Sequence, residues 1–386
     1  MKAVVCQHET LRVAEVKAPV PGAEQVLLAT ERCGICGSDL HARAHCDELA
    51  DVAAEIGYET AMRPDQEIVL GHEICGEIVD YGPGTRRSWR PGTRVVAMPV
   101  RRNGASVHMV GFDTAAPGGF AEQVVVQEAF TFPVPNGLDA DLAALTEPLA
   151  VAWHAVRRGS AGRGQAAVVI GCGPIGLAVI LMLKAAGVRT VVASDFSPGR
   201  RELARRCGAD VVVDPAAESP WTAHEWRGPV TSLQDYLGFG IDTMTRLRRV
   251  PGLPWPRLMR LAEKAGAVPA GPVIFECVGV PGMLEQVTAG APLRSRVVVV
   301  GVCMQPDQFR PAIALHKEIE LRFVFGYDPG EFRDTLHMIA GGKVDPSPLL
   351  TGTVGLDGVA SAFTALGDPG KHAKILVDPK STVTAP

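Results

Sequence analysis

The sequence predicts an α/β protein that combines a doubly wound parallel sheet with a second, mainly β domain. Three observations lead to this class: the middle of the chain alternates apolar strands with helices, the first 150 residues carry short β-rich runs, and the end of the chain returns to that second pattern. A chain of 386 residues is too long for one small core, so we expect two domains.

Short β-rich runs separated by Gly and Pro make up the N-terminal part of the chain. They read KAVVC, QVLLAT, EIVLGHEICGEIVDYG, TRVVAM and FAEQVVV, and helical signals between them are sparse. Such runs predict an antiparallel, partly barrel-like domain. From about Phe323 the sequence again shows mixed structure, with short segments separated by Gly and Pro. The simplest layout therefore builds one domain from residues 1–153 and 323–386 and places residues 154–322 between them.

The pattern changes after Glu147. The strand AAVVIG and the helix GLAVILMLKAAG are followed by TVVASD, SPGRRELARRCG and DVVVD, and later by VIFECVG and RVVVVGV. Near-continuous apolar strands that alternate with helices predict a parallel sheet covered on both faces. The 18 uncharged residues from Ala166 to Leu183 contain GCGPIG, which would break a spanning helix, so we expect no membrane span.

An insertion at about residues 220–270 interrupts this alternation with aromatic residues, prolines and arginines. One interpretation is a basic amphipathic face for a membrane surface or a partner. The other, which we favour from sequence, is a surface subdomain or oligomer contact, because charged runs usually lie on solvated faces. No catalytic pattern fits the segment, whose arginines near Trp255 are Arg246, Arg248, Arg249, Arg257 and Arg260.

Composition narrows the classes of function and compartment. A net charge of −4 lacks the basic excess of nucleic-acid binders, so a small-molecule partner is expected. The nine scattered cysteines do not form the disulfide framework of a small secreted protein. The N-terminal residues MKAVVCQHETLRVAEV alternate like a strand and do not resemble a signal peptide, so we expect a cytoplasmic protein.

The loop after the strand AAVVI is a candidate nucleotide site. It carries GxGxxG between an apolar strand and an apolar helix, which is the context that a dinucleotide requires. An acid, Asp195, ends the next strand, where a carboxylate can accept both ribose hydroxyls of adenosine. FAD and a purely structural turn are the alternatives. The candidate loop residues are Gly171, Gly173, Pro174, Ile175 and Gly176.

Three other residues are candidate cofactor contacts. Val278 and Gly301 lie in VIFECVG and RVVVVGV. Arg200 begins the helix after Asp195, where it can supply the cation that the 2′-phosphate of NADP needs. We expect the short Asp195 side chain to dominate and to select NAD.

A candidate metal site lies in the N-terminal domain. The segment CGICGSDLH brings together Cys36, Ser38, Asp39 and His41, and a later GHE supplies His72 and Glu73. Thiolate, imidazole and carboxylate groups are the ligands that zinc accepts. Cys33 and Cys36 also form CxxC, so a redox dithiol or half of a structural zinc site is possible, although no second CxxC completes one.

The segments CGICGSDLH, GHE, EPLAVAWHAV and VIGCGPIG, in this order, resemble the zinc-dependent medium-chain alcohol, polyol and threonine dehydrogenases. The resemblance covers nearly the whole chain. It implies a GroES-like catalytic domain built from both chain ends, beside a Rossmann-type nucleotide domain. It also implies that Cys36 and His72 bind a catalytic zinc, with Glu147 and Glu73 as candidates for a third protein ligand.

The same resemblance implies roles for the neighbouring residues. Ser38 would hydrogen-bond the alcohol oxygen and pass its proton on, and His41 would complete the relay to solvent. An alternative for His41 is a surface histidine or a contact to a cofactor phosphate. Asp39 would orient His72.

The expected function is NAD-dependent interconversion of an alcohol, preferably a secondary alcohol or polyol, with its carbonyl compound. The family's structural-zinc lobe, with four cysteines, should fall at residues 100–120, where this chain has none, so we expect one catalytic zinc per chain. Alternatives are a zinc-free enone or quinone reductase on the same fold and a non-catalytic nucleotide-binding protein. We expect a homodimer or homotetramer.

Overall fold

The structure is a computed structural model that describes residues 1–162, 165–226, 230–368 and 370–386. The strands of the N-terminal part are β1 (Lys2–Gln7), β2 (Thr10–Glu15), β3 (Gln25–Gly34), β4 (Ile68–Val69), β5 (Glu73–Tyr81), β6 (Arg94–Ala97), β7 (Val100–Asn103), β8 (Ser106–Met109), β9 (Gln123–Gln127) and β10 (Thr131–Pro133). The helices of this part are α1 (Gly37–Ala44), α2 (Cys46–Glu55), α3 (Ala140–Ala143) and α4 (Thr146–Gly159).

The middle of the chain alternates strands and helices, as the sequence predicts. Its elements are β11 (Ala166–Ile170), α5 (Pro174–Ala185), β12 (Thr190–Ser194), α6 (Pro198–Arg206), β13 (Val211–Val213), α7 (Leu233–Arg248), α8 (Trp255–Lys264), β14 (Val273–Glu276), α9 (Met283–Gly290), β15 (Arg296–Val299), α10 (Pro311–His316) and β16 (Glu320–Phe323). The chain ends with α11 (Pro329–Ala340), β17 (Leu350–Val354), α12 (Val359–Gly367) and β18 (Lys374–Val377). Short 3₁₀ helices lie at Glu128–Phe130, Ser347–Leu349 and Leu356–Gly358.

The strands of the middle segment form one parallel sheet in the order β13-β12-β11-β14-β15-β16. From β11 to β13 each new strand is added on one side of β11, and from β14 to β16 each is added on the other side. In such sheets a dinucleotide binds at this switch point between β11 and β14. Helix α5 buries eight consecutive residues from Gly176 to Leu183 against the core, which explains its uncharged sequence. The predicted α/β class with a doubly wound parallel sheet is confirmed.

The second large sheet joins the two ends of the chain. It follows the order β10-β6-β5-β3-β18-β17, and β9 also pairs with β3. Strand β18 runs antiparallel to β3, with Leu376 opposite Gly34 and Val377 opposite Cys33. The pair β17–β18 is parallel, because α12 forms a crossover between the two strands. The domain bounds at residues 153 and 323 stay a prediction.

The insertion contains two helices, α7 and α8, on the connection between β13 and β14. Neither helix has a buried residue, so this part of the predicted 220–270 insertion lies on the surface. Residues 227–229 of the insertion lie outside the described ranges. Within those ranges no helix is both long enough and apolar enough to cross a bilayer.

A buried polar network holds the lobe around the β7–β8 hairpin, where the sequence lacks the four cysteines of a structural zinc site. Nδ1 of His108 lies 2.7 Å from Oδ2 of Asp113, and the Tyr58 hydroxyl donates to the same oxygen at 3.1 Å. Burial disfavours the charge on Asp113, but hydrogen bonds from Thr60 and His108 outweigh it and lower the pKa of this carboxyl group. The lobe is therefore fixed by hydrogen bonds to a carboxylate.

We expect Asp113→Asn to lower the free energy of unfolding at neutral pH by about 1–3 kcal/mol, since it leaves buried donors without their charged acceptor. Because the pKa of Asp113 is lowered by folding, its contribution is present above the unfolded-state pKa and is lost as the pH falls through the folded-state value. Urea unfolding over a pH series measures both effects. Asp334→Asn, at a side chain that is 60% exposed, is the matched control and should change little. An equal loss at every pH would contradict the electrostatic explanation.

Candidate functional site

The first metal-binding candidate, Cys36, lies at the N-terminus of α1. Its backbone N–H donates to Oδ2 of Asp39 at 2.9 Å, so the third helical residue reaches back and caps the helix. The other oxygen of Asp39 accepts from the backbone of Gly71 at 3.3 Å. One buried carboxylate thus ties the CGIC turn to the GHE segment, which is 32 residues away in sequence.

Gly71 places the second candidate, His72, immediately before β5. The glycine has a φ of 98°, in the left-handed region that other residues avoid. A Cβ atom there would lie 2.6 Å from the Phe120 ring and 2.9 Å from the Cys33 sulfur. Glycine is therefore required by conformation and by space, which explains the pattern GHE.

Three ligand atoms converge at this point. One atom from each of Cys36, His72 and Glu73 lies within 4.8 Å of the others, and within the described ranges this is the group of three that can hold a metal ion. Nδ1 of His72 is 3.3 Å from Oδ1 of Asp39, an ion-pair distance without hydrogen-bond geometry among the described residues. The opposite nitrogen, Nε2, is 3.3 Å from Oγ of Ser38. Burial disfavours protonation of His72, but Asp39 and Cys36 favour it more and raise its pKa.

The two oxygen atoms of the Glu73 carboxylate lie in different environments. Nζ of Lys374 donates to Oε1 at 2.5 Å and also to the Ile35 carbonyl at 3.0 Å. Oε2 is buried and has no hydrogen-bond partner in the described part of the chain. A Cβ on Gly34 would lie 1.8 Å from that oxygen, so the glycine provides its space. Burial disfavours the charge on Lys374, but Glu73 outweighs it and raises the pKa of the ammonium group.

Glu147, the other candidate for a third ligand, lies outside this set of three. It is in the first turn of α4, and its Oε1 accepts from the Tyr327 hydroxyl at 2.9 Å. Burial raises the pKa of Glu147 to about 7, partly opposed by His72. Burial and the nearby Glu147 also raise the pKa of Tyr327. Glu147 is thus a buried acid beside the metal candidates, and the pKa of its carboxyl group is close to neutral pH.

The proposed proton-relay residues lie on α1. Oγ of Ser38 is 3.3 Å from Nε2 of His72, so this hydroxyl faces the metal candidates. His41 is one turn further along and is exposed, and its ring centroid lies 6.1 Å from that of His45. Burial and His45 lower the pKa of His41. The two relay residues share a face of the helix, but no hydrogen bond joins their side chains in the described structure.

Cys33 is not a member of this group of metal candidates. It is fully buried in β3, and burial raises the pKa of its thiol well above the ordinary value. All nine cysteines are free thiols in the structure. The CxxC pair is therefore not a disulfide, and only its second member lies among the metal candidates.

The glycine loop has the geometry that its sequence predicts. Gly171 has a φ of 88°, and a Cβ on Gly176 would lie 1.9 Å from the Gly171 carbonyl oxygen. The first glycine therefore makes the turn, and the third allows strand and helix to pack closely. Gly173 is the N-cap of α5, followed by Pro174 at the first helical position, so helix amides face the space beyond the loop.

Asp195 lies beside this loop. Its Oδ2 accepts from the Cys172 backbone at 2.7 Å, and its Oδ1 accepts from the Ser197 backbone at 2.7 Å. Cζ of Arg200 is 4.0 Å from the position of a Cβ on Gly173, and the buried Nε of Arg200 has no hydrogen-bond partner among the described residues. A carboxylate and a guanidinium thus flank the same turn.

The other two cofactor candidates lie at the carboxyl ends of the next strands. Val278 is 41% exposed, and its Cγ2 is 2.7 Å from the position of a Cβ on Gly171. The Gly301 amide donates to the Glu276 carbonyl at 2.9 Å, where Gly301 and Gly279 approach too closely for a side chain. Both candidates therefore follow the carboxyl ends of parallel strands, at the same end of the sheet as the glycine loop.

Two residues of the site, Lys374 and Tyr327, are missed by sequence reasoning. Lys374 carries a weak signal, because it is a lysine at the start of the fully buried strand KILV. Tyr327 has no local signal, since its partner Glu147 is 180 residues away. Both contacts depend on how the chain end returns to the N-terminal domain.

Two family models match the sequence. The alcohol dehydrogenase GroES-like domain matches residues 22–136, and the zinc-binding dehydrogenase domain matches residues 174–242. The first match contains Cys36, His72 and Glu73, and the second begins at Pro174 in the glycine loop. Each model therefore covers one of the two candidate sites.

Related proteins extend the similarity over the whole chain. (R,R)-butanediol dehydrogenase of Bacillus subtilis strain 168 is 29% identical over 383 residues, which covers 96% of this chain and 97% of that protein. Sorbitol dehydrogenase of Bos taurus is 28% identical, with 96% and 94% covered. A zinc-binding dehydrogenase structure from Sinorhizobium meliloti 1021, bound to NADP, aligns with a TM-score of 0.74 at 26% identity and covers 98% of this chain and 99% of its own. From the two family models, these relatives and the fold, the chain belongs to the zinc-dependent medium-chain dehydrogenase/reductase family.

Proposed function

We propose that this chain interconverts a secondary alcohol or polyol with its ketone, using NAD and one zinc ion held by Cys36, His72 and Glu73. The observation that carries the proposal is the convergence of these three ligand atoms within 4.8 Å. The relatives named as butanediol and sorbitol dehydrogenases support the alcohol or polyol class of substrate.

The residues present fit a zinc ion. Thiolate, imidazole and carboxylate donors make a three-residue set that leaves a fourth position open, as in catalytic zinc sites. The buried and unpartnered Oε2 of Glu73 is an orphaned acceptor that a cation would satisfy. We propose Glu73 as the third ligand and not Glu147, because the Tyr327 hydroxyl holds Glu147 outside the set. An enone reductase or a nucleotide sensor would need none of these groups.

When bound, zinc supplies Lewis-acid polarisation of the substrate oxygen, and the nicotinamide supplies the hydride acceptor. The Asp39 carboxylate, 3.3 Å from Nδ1 of His72, favours a proton on that nitrogen and so leaves Nε2 as the proposed ligand atom. Oγ of Ser38, 3.3 Å from that nitrogen, is placed to accept the proton of the substrate hydroxyl as its own hydroxyl proton is passed on. His41, exposed one turn further along α1, carries the proton to solvent.

Buried groups shape the surroundings of this proton transfer. Lys374 neutralises one oxygen of Glu73 at 2.5 Å, so the site does not gather uncompensated negative charge. Glu147, whose pKa burial raises to about 7, is held by Tyr327 near the same space. We propose that these residues fix the orientation of the substrate and exclude water.

Two features support proposals about the state of the protein in the cell. Seven of the nine free cysteines are buried, which suits a reducing compartment, and we place the protein in the cytoplasm.

Strand β16 is the last strand of its sheet, and near it Phe323 is 66% exposed and Phe325 is 82% exposed. An unpaired edge with exposed aromatic residues supports a homodimer or a homotetramer.

Zinc content separates the two cysteines of the CxxC pair. Cys36→Ala should lose most of its zinc and its activity, whereas Cys33→Ala, at a buried position that contributes no ligand, should keep about one zinc per chain. Elemental analysis of the purified variants, together with thermal unfolding, measures both properties. Full zinc in Cys36→Ala, or its loss from a well-folded Cys33→Ala, would show that the ligand set is wrong.

The Ser38 hydroxyl should matter for turnover and not for metal content. Ser38→Ala should retain zinc while kcat falls by roughly 10²- to 10⁴-fold, the usual contribution of a general acid–base step. Nicotinamide absorbance over a panel of secondary alcohols and polyols is the assay, and activity with such substrates tests the proposed reaction itself. Ser88→Ala, at an exposed serine outside the site, is the control. A Ser38→Ala enzyme that matches wild type would remove Ser38 from the relay.

Cofactor choice tests Asp195. The 2′-phosphate of NADP would meet this carboxylate at a partly buried position, so kcat/KM with NAD should exceed that with NADP by at least about tenfold. Asp195→Ser should narrow the gap mainly by improving the use of NADP. Arg200→Ala should then weaken the remaining use of NADP more than the use of NAD. A wild-type preference for NADP would refute the role given to Asp195.

A further inference from the structure

The α7–α8 insertion is a surface that the proposed reaction does not use. Eight of the 22 exposed large hydrophobic side chains among the described residues lie between Leu233 and Leu261. In α7, Leu237 is 58% exposed and Ile241 is 67% exposed. The surface of a soluble protein rarely exposes so many apolar side chains in one short segment unless that segment binds a partner or a membrane.

Helix α8 is strongly two-sided. At 100° per residue, Leu258 and Met259 lie on one side of the helix, and Arg257, Arg260 and Lys264 lie on the opposite side. Leu258 is 38% exposed and Met259 is 44% exposed, so the described residues leave part of the apolar side open to solvent. The helix therefore offers an apolar face and a basic face to the surroundings at the same time.

Six basic residues of α7, α8 and the turn between them have no ionic partner among the residues that the structure describes. Between Arg246 and Lys264 the sequence has six cations and one acid, Glu263, although the whole chain carries a net charge of −4. None of the six forms an ion pair with any residue that the structure describes. These unpaired cations are Arg246, Arg248, Arg249, Arg257, Arg260 and Lys264.

We propose that the α7–α8 insertion docks the protein on an anionic phospholipid bilayer. The apolar side of α8 enters the boundary between headgroups and acyl chains, and the cations bind lipid phosphates and carboxylates. A basic amphipathic helix that lies in the interface has this composition, and each basic residue near an anionic surface adds to the attraction. The insertion thus binds the membrane from outside and does not span it.

Charge favours a bilayer over a second copy of this chain. A twofold interface through the insertion would place the same six cations opposite one another, where they repel. A nucleic acid would satisfy the cations but leave the apolar face of α8 in water. An anionic bilayer satisfies both faces at once.

The structure also explains how the insertion is held for docking. Ser232 caps α7 by accepting from the Asp235 backbone at 3.1 Å, and Arg294 of the nucleotide domain donates to the Tyr236 hydroxyl at 2.9 Å. The start of α7 is therefore fixed to the body of the protein. Helix α8 has only 10 residues and buries none of them, and a helix of that length is marginal in water alone. Burial of its apolar side in an interface would stabilise it.

The test is co-sedimentation of the full-length protein with vesicles. The vesicles contain phosphatidylcholine alone or phosphatidylcholine with about 30% phosphatidylserine, at low salt and at about 0.5 M salt. Wild type should bind the anionic vesicles at low salt at least about tenfold more strongly than the neutral ones. Arg257→Glu/Arg260→Glu and, separately, Leu258→Gln/Met259→Gln should each weaken that binding about tenfold or more.

The matched control is Arg90→Glu/Arg333→Glu, which makes the same change in net charge at two exposed arginines outside the insertion. It should bind anionic vesicles like wild type, and all variants should keep wild-type activity in the absence of vesicles. The proposal is overturned if wild type binds neither vesicle, or if the control loses as much binding as Arg257→Glu/Arg260→Glu. It is also overturned if light scattering shows that Leu258→Gln/Met259→Gln splits an oligomer, because the apolar face would then contact a second copy.

Discussion

The candidate metal-binding residues depend on a strand that comes from the far end of the chain. Strand β18 pairs with β3, and its first residue, Lys374, forms an ion pair with Glu73 in which both side chains are almost fully buried. Two buried charges are tolerated in a protein only as partners, and removal of one costs about 3–5 kcal/mol. The pair therefore fixes the position of Glu73, and with it one of the three donors of the site.

This constraint also orders the surrounding polar groups. Lys374 occupies one oxygen of Glu73, and the other has no hydrogen-bond partner among the described residues. The Asp39 carboxylate lies 3.3 Å from Nδ1 of His72. A buried charge thus lies beside each of these two side chains, whose ligand atoms lie within 4.8 Å of each other and of that of Cys36. Preorganisation of this kind spares the protein a rearrangement when a cation binds.

Much of the fold and part of the site could be predicted from the sequence. The parallel sheet, the glycine loop and the pairing of CGIC with GHE have short-range signals, because turns and helix starts are set by nearby residues such as Gly71 and Asp39. The ion pair of Lys374 with Glu73 and the contact of Tyr327 with Glu147 join residues 301 and 180 positions apart, so no local pattern could identify the two partners. The proposal of Glu73 as third ligand in place of Glu147 rests on the same long-range contacts.

The pairing of β3 with β18 also determines when, during synthesis of the chain, the candidate metal site can be completed. Cys36, His72 and Glu73 are synthesised early, but Lys374 follows Glu73 by 301 residues. The nucleotide domain lies between them and can form its own parallel sheet while Glu73 still lacks its counter-charge. The candidate metal site is therefore completed only near the end of synthesis, and a chain that stops before β18 would leave Glu73 without Lys374. Loss of the chain from Lys374 onward would therefore disturb the site from a distance, although every proposed ligand is still present.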